Sequence, residues 1–264
     1  EVMAISKSKD VFDNEGVACA VDNEENVSLV TDRWKLYNHL SSNGITMPRY
    51  KLVQKFEDVA HIVDYFEYPK MKFVVKPRRS RGARNVWEIG EDRESTSLKD
   101  FRYYFNKVNT NRADYVAMEF LPGPAYDVDV ISNEGKPICI IPRRRIWKNK
   151  LSASSEGCLI ERNTRLVQLV SRIAKLLNLN YAYDFDCGSF SDSAYAIYEI
   201  NPRISGAVTA SLGAGVNVPA MLVKMLTGVK LPKITTKFNV TMFPVADMIF
   251  LDKGKVFYAN KVAK

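Results

Sequence analysis

Apolar residues recur along this chain at two spacings, and the switch between them predicts helices packed on strands. Helical spacing marks 57–66, where Val59, Ile62, Val63 and Phe66 fall on one face, and 97–108, where Leu98, Phe101 and Phe105 do. Ser97 and Asp100 open the second of these as a capping box. Residues 163–178 repeat the pattern with Leu166, Leu169, Val170, Ile173 and Leu177. A helix is predicted from Thr31 or Asp32, either of which can cap it, to Gly44, with Trp34, Tyr37 and Leu40 as its buried stripe. Another runs from Asn217 and Pro219 to Gly228, and 7–15 reads as a short helix. Strands are predicted at 17–21, 48–53, 73–77, 86–89, 115–121, 126–131 and 137–142, with Tyr126, Val128 and Val130 facing inward. The tail from 234 reads as strand and coil.

The stretch 181–217 is where periodicity meets chemistry. It reads as two strands, a tight turn and a loop rich in Gly and Ser. Period two puts Tyr195, Ile197, Glu199 and Asn201 on one face of the second strand, with Ala196, Tyr198 and Ile200 on the other. A two-residue turn at Asp192 and Ser193 would set Asp186 opposite Glu199 and Asp184 opposite Asn201. Like charges placed so destabilise a bare sheet. A hard divalent cation between them removes the penalty, and Mg²⁺ favours carboxylate oxygens with substrate phosphates. Arg203 follows, a planar donor fork suited to phosphate. On spacing alone the same hairpin reads equally as a solvated surface with charges on its wet face.

Composition narrows the classes. The chain has 264 residues, 46% hydrophobic and 26% charged, ordinary for a globular protein. No apolar run approaches the roughly 20 residues of a membrane span, and the first residues form no apolar signal core. Cys19, Cys139, Cys158 and Cys187 are scattered without a C-x-x-C, which favours a reduced, cytoplasmic protein. With His39 and His61 alone, a His-rich zinc site and a His-dependent nucleophile have few candidates. The net charge of +8 favours an anionic partner and concentrates at 76–84 and 143–150, which points to a defined anion site. Lys76 ends the strand 73–77 and leads into a basic loop containing Gly82, whose backbone N–H groups are candidates to cradle phosphate. It is no P-loop, since G-x-x-x-x-G-K-[ST] is absent.

Taken together these pieces resemble the ATP-grasp superfamily. The likeness is to carboxylate–amine ligases and the synthetase domains of the carbamoyl phosphate synthetase large chain. It rests on Glu199-Ile200-Asn201-Pro202-Arg203 with Asp186 before it, and on Phe73-Val74-Val75-Lys76-Pro77 before the basic loop. Met118-Glu119-Phe120-Leu121-Pro122-Gly123 and the Asp32-Arg33 helix start complete it. The resemblance implies an α+β fold, two α/β subdomains whose mainly antiparallel sheets grip ATP. It divides the chain into 1–30, the trailing part of an N-terminal α/β domain, 31–114, a small subdomain with the phosphate loop, and 115–264, a large subdomain with the metal site.

The same resemblance assigns roles. Asp186, Glu199 and Asn201 would hold Mg²⁺, with Mn²⁺ an allowed substitute. Arg33, Lys35 and Lys76 would pair with the phosphates of ATP, and the loop with Ser80 and Gly82 would close over them. Glu119, Phe120 and Leu121 would read adenine, and Arg203, with Lys76, would act on the transferring phosphoryl group. Arg143, Arg145, Ser205 and Gly206 are candidates for the carboxylate substrate, with Arg144 beside them; a solvated strand end is the competing reading of those arginines. Ala125 stands where close relatives carry a Glu that contacts the ribose. The implied function is an ATP-dependent ligase that joins a small carboxylate to an amine through an acyl phosphate, with a homodimer allowed. Two other readings stay open: a non-ligase ATP-grasp phosphotransferase or nucleotide-binding regulator, and an RNA-binding module on the basic segments. The carboxylates of the hairpin would repel an RNA backbone, and no RNA-module signature is present.

Overall fold

Alternation in β2 (Phe73–Pro77) decides how the two halves of the molecule meet. Phe73 and Val75 point into one hydrophobic cluster, while Val74 packs against another and Lys76 turns the same way. The computed structural model describes residues 1–80, 84–93, 95–108, 114–146, 157–191, 194–244, 249–252 and 255–258. In it β2 lies inside an antiparallel sheet with β1 (Tyr50–Val53), β3 (Trp87–Ile89) and β4 (Tyr115–Glu119), ordered β1-β4-β2-β3. Helices α5 (Asp58–Tyr65) and α6 (Leu98–Val108) cover its outer face through Val59, Ile62, Phe101 and Phe105. The Phe66 and Phe73 rings stack 5.2 Å apart within that core. Each such buried side chain contributes roughly 1.5–3 kcal/mol of transfer free energy. Ser97 caps α6 as expected, its hydroxyl 3.1 Å from the Asp100 N–H.

The second sheet is larger and also antiparallel. It comprises β5 (Tyr126–Asn133), β6 (Lys136–Ile146), β7 (Gly157–Ile160), β8 (Tyr181–Ser191), β9 (Ala194–Asn201) and β10 (Val240–Met242), ordered β10-β7-β6-β5-β8-β9. One face is covered by α4 (Arg33–Ser42) and α7 (Thr164–Leu176), with Leu36, Tyr37, Leu40, Leu166, Val170 and Ile173 meeting Val128, Phe185 and Ile200. Val116 and Met118 of the first sheet share this core. The other face is apolar at one end, under α8 (Thr209–Gly213) and α9 (Val218–Leu226), and charged at the other. Helices α1 (Val2–Lys7), α2 (Lys9–Asn14) and α3 (Glu24–Val30) precede the sheets, and a hairpin of β11 (Ile249–Asp252) and β12 (Lys255–Tyr258) follows them.

Two expectations are corrected. Residues 17–21 form no strand: their chain runs past Lys9, whose Nζ donates to the Val21 carbonyl, and into the buried Asp22, which accepts from the Tyr183 hydroxyl. The chain does not divide at residue 115, because β4 is the central partner of β1 and β2; the sheets separate after Glu119. Helix α4, expected with the small subdomain, packs on both sheets: Trp34 and Tyr37 stand edge-on to Tyr50 of β1, and Leu36, Tyr37 and Leu40 lie in the core shared with the second sheet. In β5 Tyr126, Val128 and Val130 face the core as expected, and Asp127 and Asp129 are buried on the opposite face.

Candidate functional site

A file of charged residues crosses the second sheet on one face. Arg143 on β6 lies opposite Asp127 on β5, Asp127 opposite Asp186 on β8, and Asp186 opposite Glu199 on β9. The adjacent file reads Ile141, Asp129, Asp184 and Asn201. The register expected for the hairpin is therefore present at both positions. Ser191 pairs with Ala194, and the turn residues Asp192 and Ser193 lie outside the described residues.

The expected facing of β9 is only half right. A bulge lets Asp186 pair with Glu199 while Cys187 pairs with Ile197, leaving Tyr198 as the extra residue. Ile197 and Ile200 both enter the core, and Tyr198 joins Glu199 beside the charged file. A second irregularity between Ser189 and Ser191 restores the register. The Tyr198 carbonyl accepts from the Tyr37 hydroxyl at 2.7 Å and from Lys76 Nζ at 3.3 Å. Lys76 Nζ also lies 4.6 Å from the Tyr198 ring centroid.

Cations from the first sheet's side reach the same place. Arg33, at the start of α4, pairs through Nη2 with Glu199 and donates through Nη1 to the Pro77 carbonyl at 2.7 Å and Ser80 Oγ at 3.2 Å. Asp32 caps α4, accepting from the Lys35 N–H at 3.1 Å, and holds Arg78 and Arg79 at 2.8 Å each. Arg33, Lys76, Ser80, Asp186, Glu199 and Asn201 are thus brought together. Asn201 Nδ2 lies 3.3 Å from Asp186 Oδ2, and Arg203 Nη1 lies 3.0 Å from Asp184 Oδ2. Lys35 is not brought in: it is exposed on α4. Gly82 lies outside the described residues.

The hinge expected at Glu119, Phe120 and Leu121 leaves the end of β4. Its N–H groups at 119 and 120 bond to the carbonyls of Arg49 and Lys72, and the Glu119 carboxylate accepts from the Arg49 N–H at 3.2 Å. The segment lies hard against β8. A Cβ at Gly188 would sit 2.6 Å from Leu121 Cδ1, and one at Gly123 would overlap Ser189, so both positions admit only glycine without a shift.

The arginines expected to bind substrate are committed elsewhere. Arg143 is fully buried and clasps Asp129 through Nε at 3.1 Å and Nη2 at 2.9 Å. Arg145 bridges Asp127 and Asp186, and Arg144 points to the opposite face, where it pairs with Glu161. Alternation along β6 is the cause, together with the carboxylates on the strands beyond it. Arg143 and Arg145 are not solvated strand ends, whereas Arg144 keeps 38% of its side chain exposed. Ser205 Oγ is buried against Arg143, whereas Gly206 is exposed with open space around it. Sequence reasoning missed Asp127 and Asp129. Their signal was D-x-D at 127–129 and again at 184–186, matched by R-x-R at 143–145.

Burial sets the electrostatics. It pulls the Lys76 ammonium down to about 7, helped by the nearby Arg33 and opposed by Glu199 and Asp186. It pushes the Asp184 carboxyl up to about 6, with Asp127 adding to the effect. Asp186 is held well above the usual carboxylate range by burial, against the pull of Arg145. Little solvent reaches these groups, so a bound cation or anion would decide their ionisation. Asp127, Asp184 and Asp186 each offer an oxygen within 4.8 Å of the others. With Glu199 facing Asp186 and the Asn201 amide adjacent, the donor set is all oxygen and fits a hard divalent ion.

Residues 111–246, just over half the chain, match the family described as "ATP-grasp in the biosynthetic pathway with Ter operon". The chain belongs to this ATP-grasp family. Solved structures share the fold. The L-amino acid ligase of Bacillus licheniformis matches with a TM-score of 0.70 at 14% identity, over 95% of this chain and 64% of its own. The biotin carboxylase domain of Hydrogenobacter thermophilus 2-oxoglutarate carboxylase, solved with MgADP, ADP and bicarbonate, gives 0.70 at 14% over 90% and 54%. The D-alanine–D-alanine ligase of Bacillus anthracis, solved with ATP, gives 0.60 at 17% over 83% and 72%. The ATP-grasp chain thus spans little more than half of the carboxylase domain and under two thirds of the amino acid ligase. The comparison with curated proteins returned no match. Among the described residues no helix is long and apolar enough to cross a membrane.

Proposed function

We propose that this ATP-grasp chain serves an ATP-dependent ligase that activates a small carboxylate as its acyl phosphate and passes it to an amine. One observation carries the reading: Arg33 and Lys76 meet Glu199 and Tyr198 where the two sheets join, so phosphate-seeking cations and oxygen ligands share one site. The names of the similar structures support it, since two are ligases and two were solved with adenine nucleotides. The finer likeness to the carbamoyl phosphate synthetase large chain, a cytoplasmic location and a homodimer belong to the same proposal.

Asp186, Glu199 and Asn201 would hold Mg²⁺ or Mn²⁺, which when bound neutralises charge on the terminal phosphates. Lys76 is partly neutral at pH 7 in the free protein, and an incoming phosphate would favour its protonated form. Arg33 exchanges Glu199 for a phosphate oxygen, and Ser80 follows it. The hinge at 119–121 seats the purine. A substrate carboxylate oxygen attacks the γ-phosphorus; the bond to the β-phosphate oxygen breaks and ADP leaves. Arg203, 47% exposed and held through Nη1 by Asp184, would turn the rest of its guanidinium to the charge on the transferring group. The amine then attacks the acyl carbon, phosphate departs with the bonding electrons, and the amine proton passes to solvent. The chain's work is positioning and charge neutralisation.

A phosphotransferase is the second reading, favoured by the commitment of Arg143 and Arg145 to internal carboxylates. The same commitment argues against RNA binding by these residues. The test is ADP release with Mg²⁺, ATP and a panel of amino acids and small carboxylates. Release that needs both a carboxylate and an amine supports the ligase. A phosphorylated product without amide supports the phosphotransferase, and no ADP with any pair overturns both.

A further inference from the structure

The charged face of the second sheet borders an apolar face, and one residue occupies the border. Ile131, Ile141, Ile160 and Ala182 lie under α8 and α9. Asp127, Asp186 and Glu199 lie at the site. Between them sits Arg143, which no role in phosphate or substrate contact explains, because it is fully buried. We infer that Arg143, clasped by Asp129, is a positioning residue that fixes the segment from Arg203 to Ser211 against the metal-binding strands. This rests on the nucleotide reading above.

The geometry runs outward from one guanidinium. Its Nη2 donates to Ser205 Oγ at 2.8 Å, and that hydroxyl also accepts from the Ala207 N–H at 3.2 Å. Asp129, held bidentately from below, accepts from the Ser211 hydroxyl. Asp184, whose Oδ1 is 3.6 Å from Arg143 Nη2, holds Arg203 through Oδ2 at 3.0 Å. Three points of the segment after Asn201 are therefore tied, directly or through one carboxylate, to a single side chain on β6. The arrangement also places a positive charge beside Asp127, Asp129 and Asp184, at 3.6 Å from Asp127 and Asp184. That charge helps three buried carboxylates coexist on the sheet face that carries the expected metal ligands. Groups that orient metal ligands from behind typically matter for the metal rather than for the rest of the ligand. A lysine could supply the charge here but not the fork that reaches Asp129 and Ser205 together.

The experiment uses the whole chain and the variants Ser205→Ala, Arg143→Lys and Arg143→Met. Hydrogen exchange is followed in peptides covering 203–213, and ADP affinity is measured by calorimetry with and without Mg²⁺. Exchange in 203–213 should accelerate in each variant. The gain in ADP affinity from Mg²⁺ should fall roughly tenfold in Arg143→Lys and Arg143→Met, while affinity for ADP alone stays within about twofold. Ser205→Ala should shift both readouts in the same direction by less. Equal weakening with and without Mg²⁺ would make Arg143 a general structural residue and overturn the inference. So would an unchanged 203–213 segment, or a fully retained Mg²⁺ gain beside a loosened one. If Arg143→Met does not fold, Arg143→Lys and Ser205→Ala decide. If the unmodified protein binds no ADP, the nucleotide reading fails, and the exchange data still judge the anchor.

Discussion

Two buried arginines, Arg33 and Arg143, do opposite things with similar partners. Arg33 reaches across from α4 to Glu199, a carboxylate that keeps 22% of its side chain exposed. Its remaining bonds go to a carbonyl and a serine, and its Nε has no hydrogen-bond partner among the described residues. Arg143 lies within one sheet, fully buried, with two bonds to one carboxylate and a third to a buried hydroxyl, and its Nη1 likewise has no hydrogen-bond partner among the described residues. A pair that joins two elements and touches solvent can exchange its partner at modest cost. A pair enclosed on all sides cannot, because each charge would be left uncompensated. Burial of an ion pair therefore does not by itself mark a functional site; what separates the two is access to a competing ligand.

The comparison can be broken in several ways, beginning with the largest effect. Glu199→Gln should leave the fold intact by circular dichroism and remove ATP turnover, a loss of at least ~10³-fold in ADP release. Turnover near the original rate would place the exchangeable pair outside the chemistry. Arg143→Met should cost about 3–5 kcal/mol in urea unfolding, the usual result of stripping one partner from a buried pair. Arg33→Met should cost only about 1–2 kcal/mol, since Glu199 can regain water. Equal costs would erase the distinction between them.

Lys76 supplies a pH test. Its ammonium falls from 10.5 to about 7 in the folded chain. Between those values the unfolded chain binds more protons, so stability rises with pH across that window. The penalty for burying the charge is fully present below about pH 7. Lys76→Met should then stabilise the protein at pH 6 by up to about 5 kcal/mol, with the gain fading towards pH 10.5, while nucleotide affinity drops. Urea titrations at pH 6 and 9 read the sign; a gain that does not shrink with pH contradicts it. The smallest effect is expected at Lys35, exposed on α4: Lys35→Ala should change ADP affinity by less than about twofold.

Local pattern made much of this legible. The cap at Asp32, the strand Phe73–Pro77 and its returning partner, and the pairing of Asp186 with Glu199 all follow from spacing within short stretches. What escaped depends on neighbours distant in sequence. Asp127 meets Asp186 only because β5 and β8 pair across the long excursion through β6, β7 and α7. Arg143 and Arg145 looked like an open cluster until those strands supplied carboxylates at the same height. The stretch 17–21 has strand-forming residues but pairs with no strand among the described residues. The irregularities in β8 and β9 cancel in count, so the register came out right while the facing of Ile197 did not.

That extra residue in β9 limits how the site could be rebuilt. The strand is two short pieces of opposite parity, 194–197 and 199–201, spliced at Tyr198. A designer who replaced it with a regular strand would have to choose between seating Ile197 in the core and aiming Glu199 at the site. The splice also turns one peptide carbonyl out of the ladder, and Tyr37 and Lys76 both depend on it. Regularity, usually an asset in an engineered sheet, would here disconnect a helix, the first sheet and the proposed metal strand in a single step.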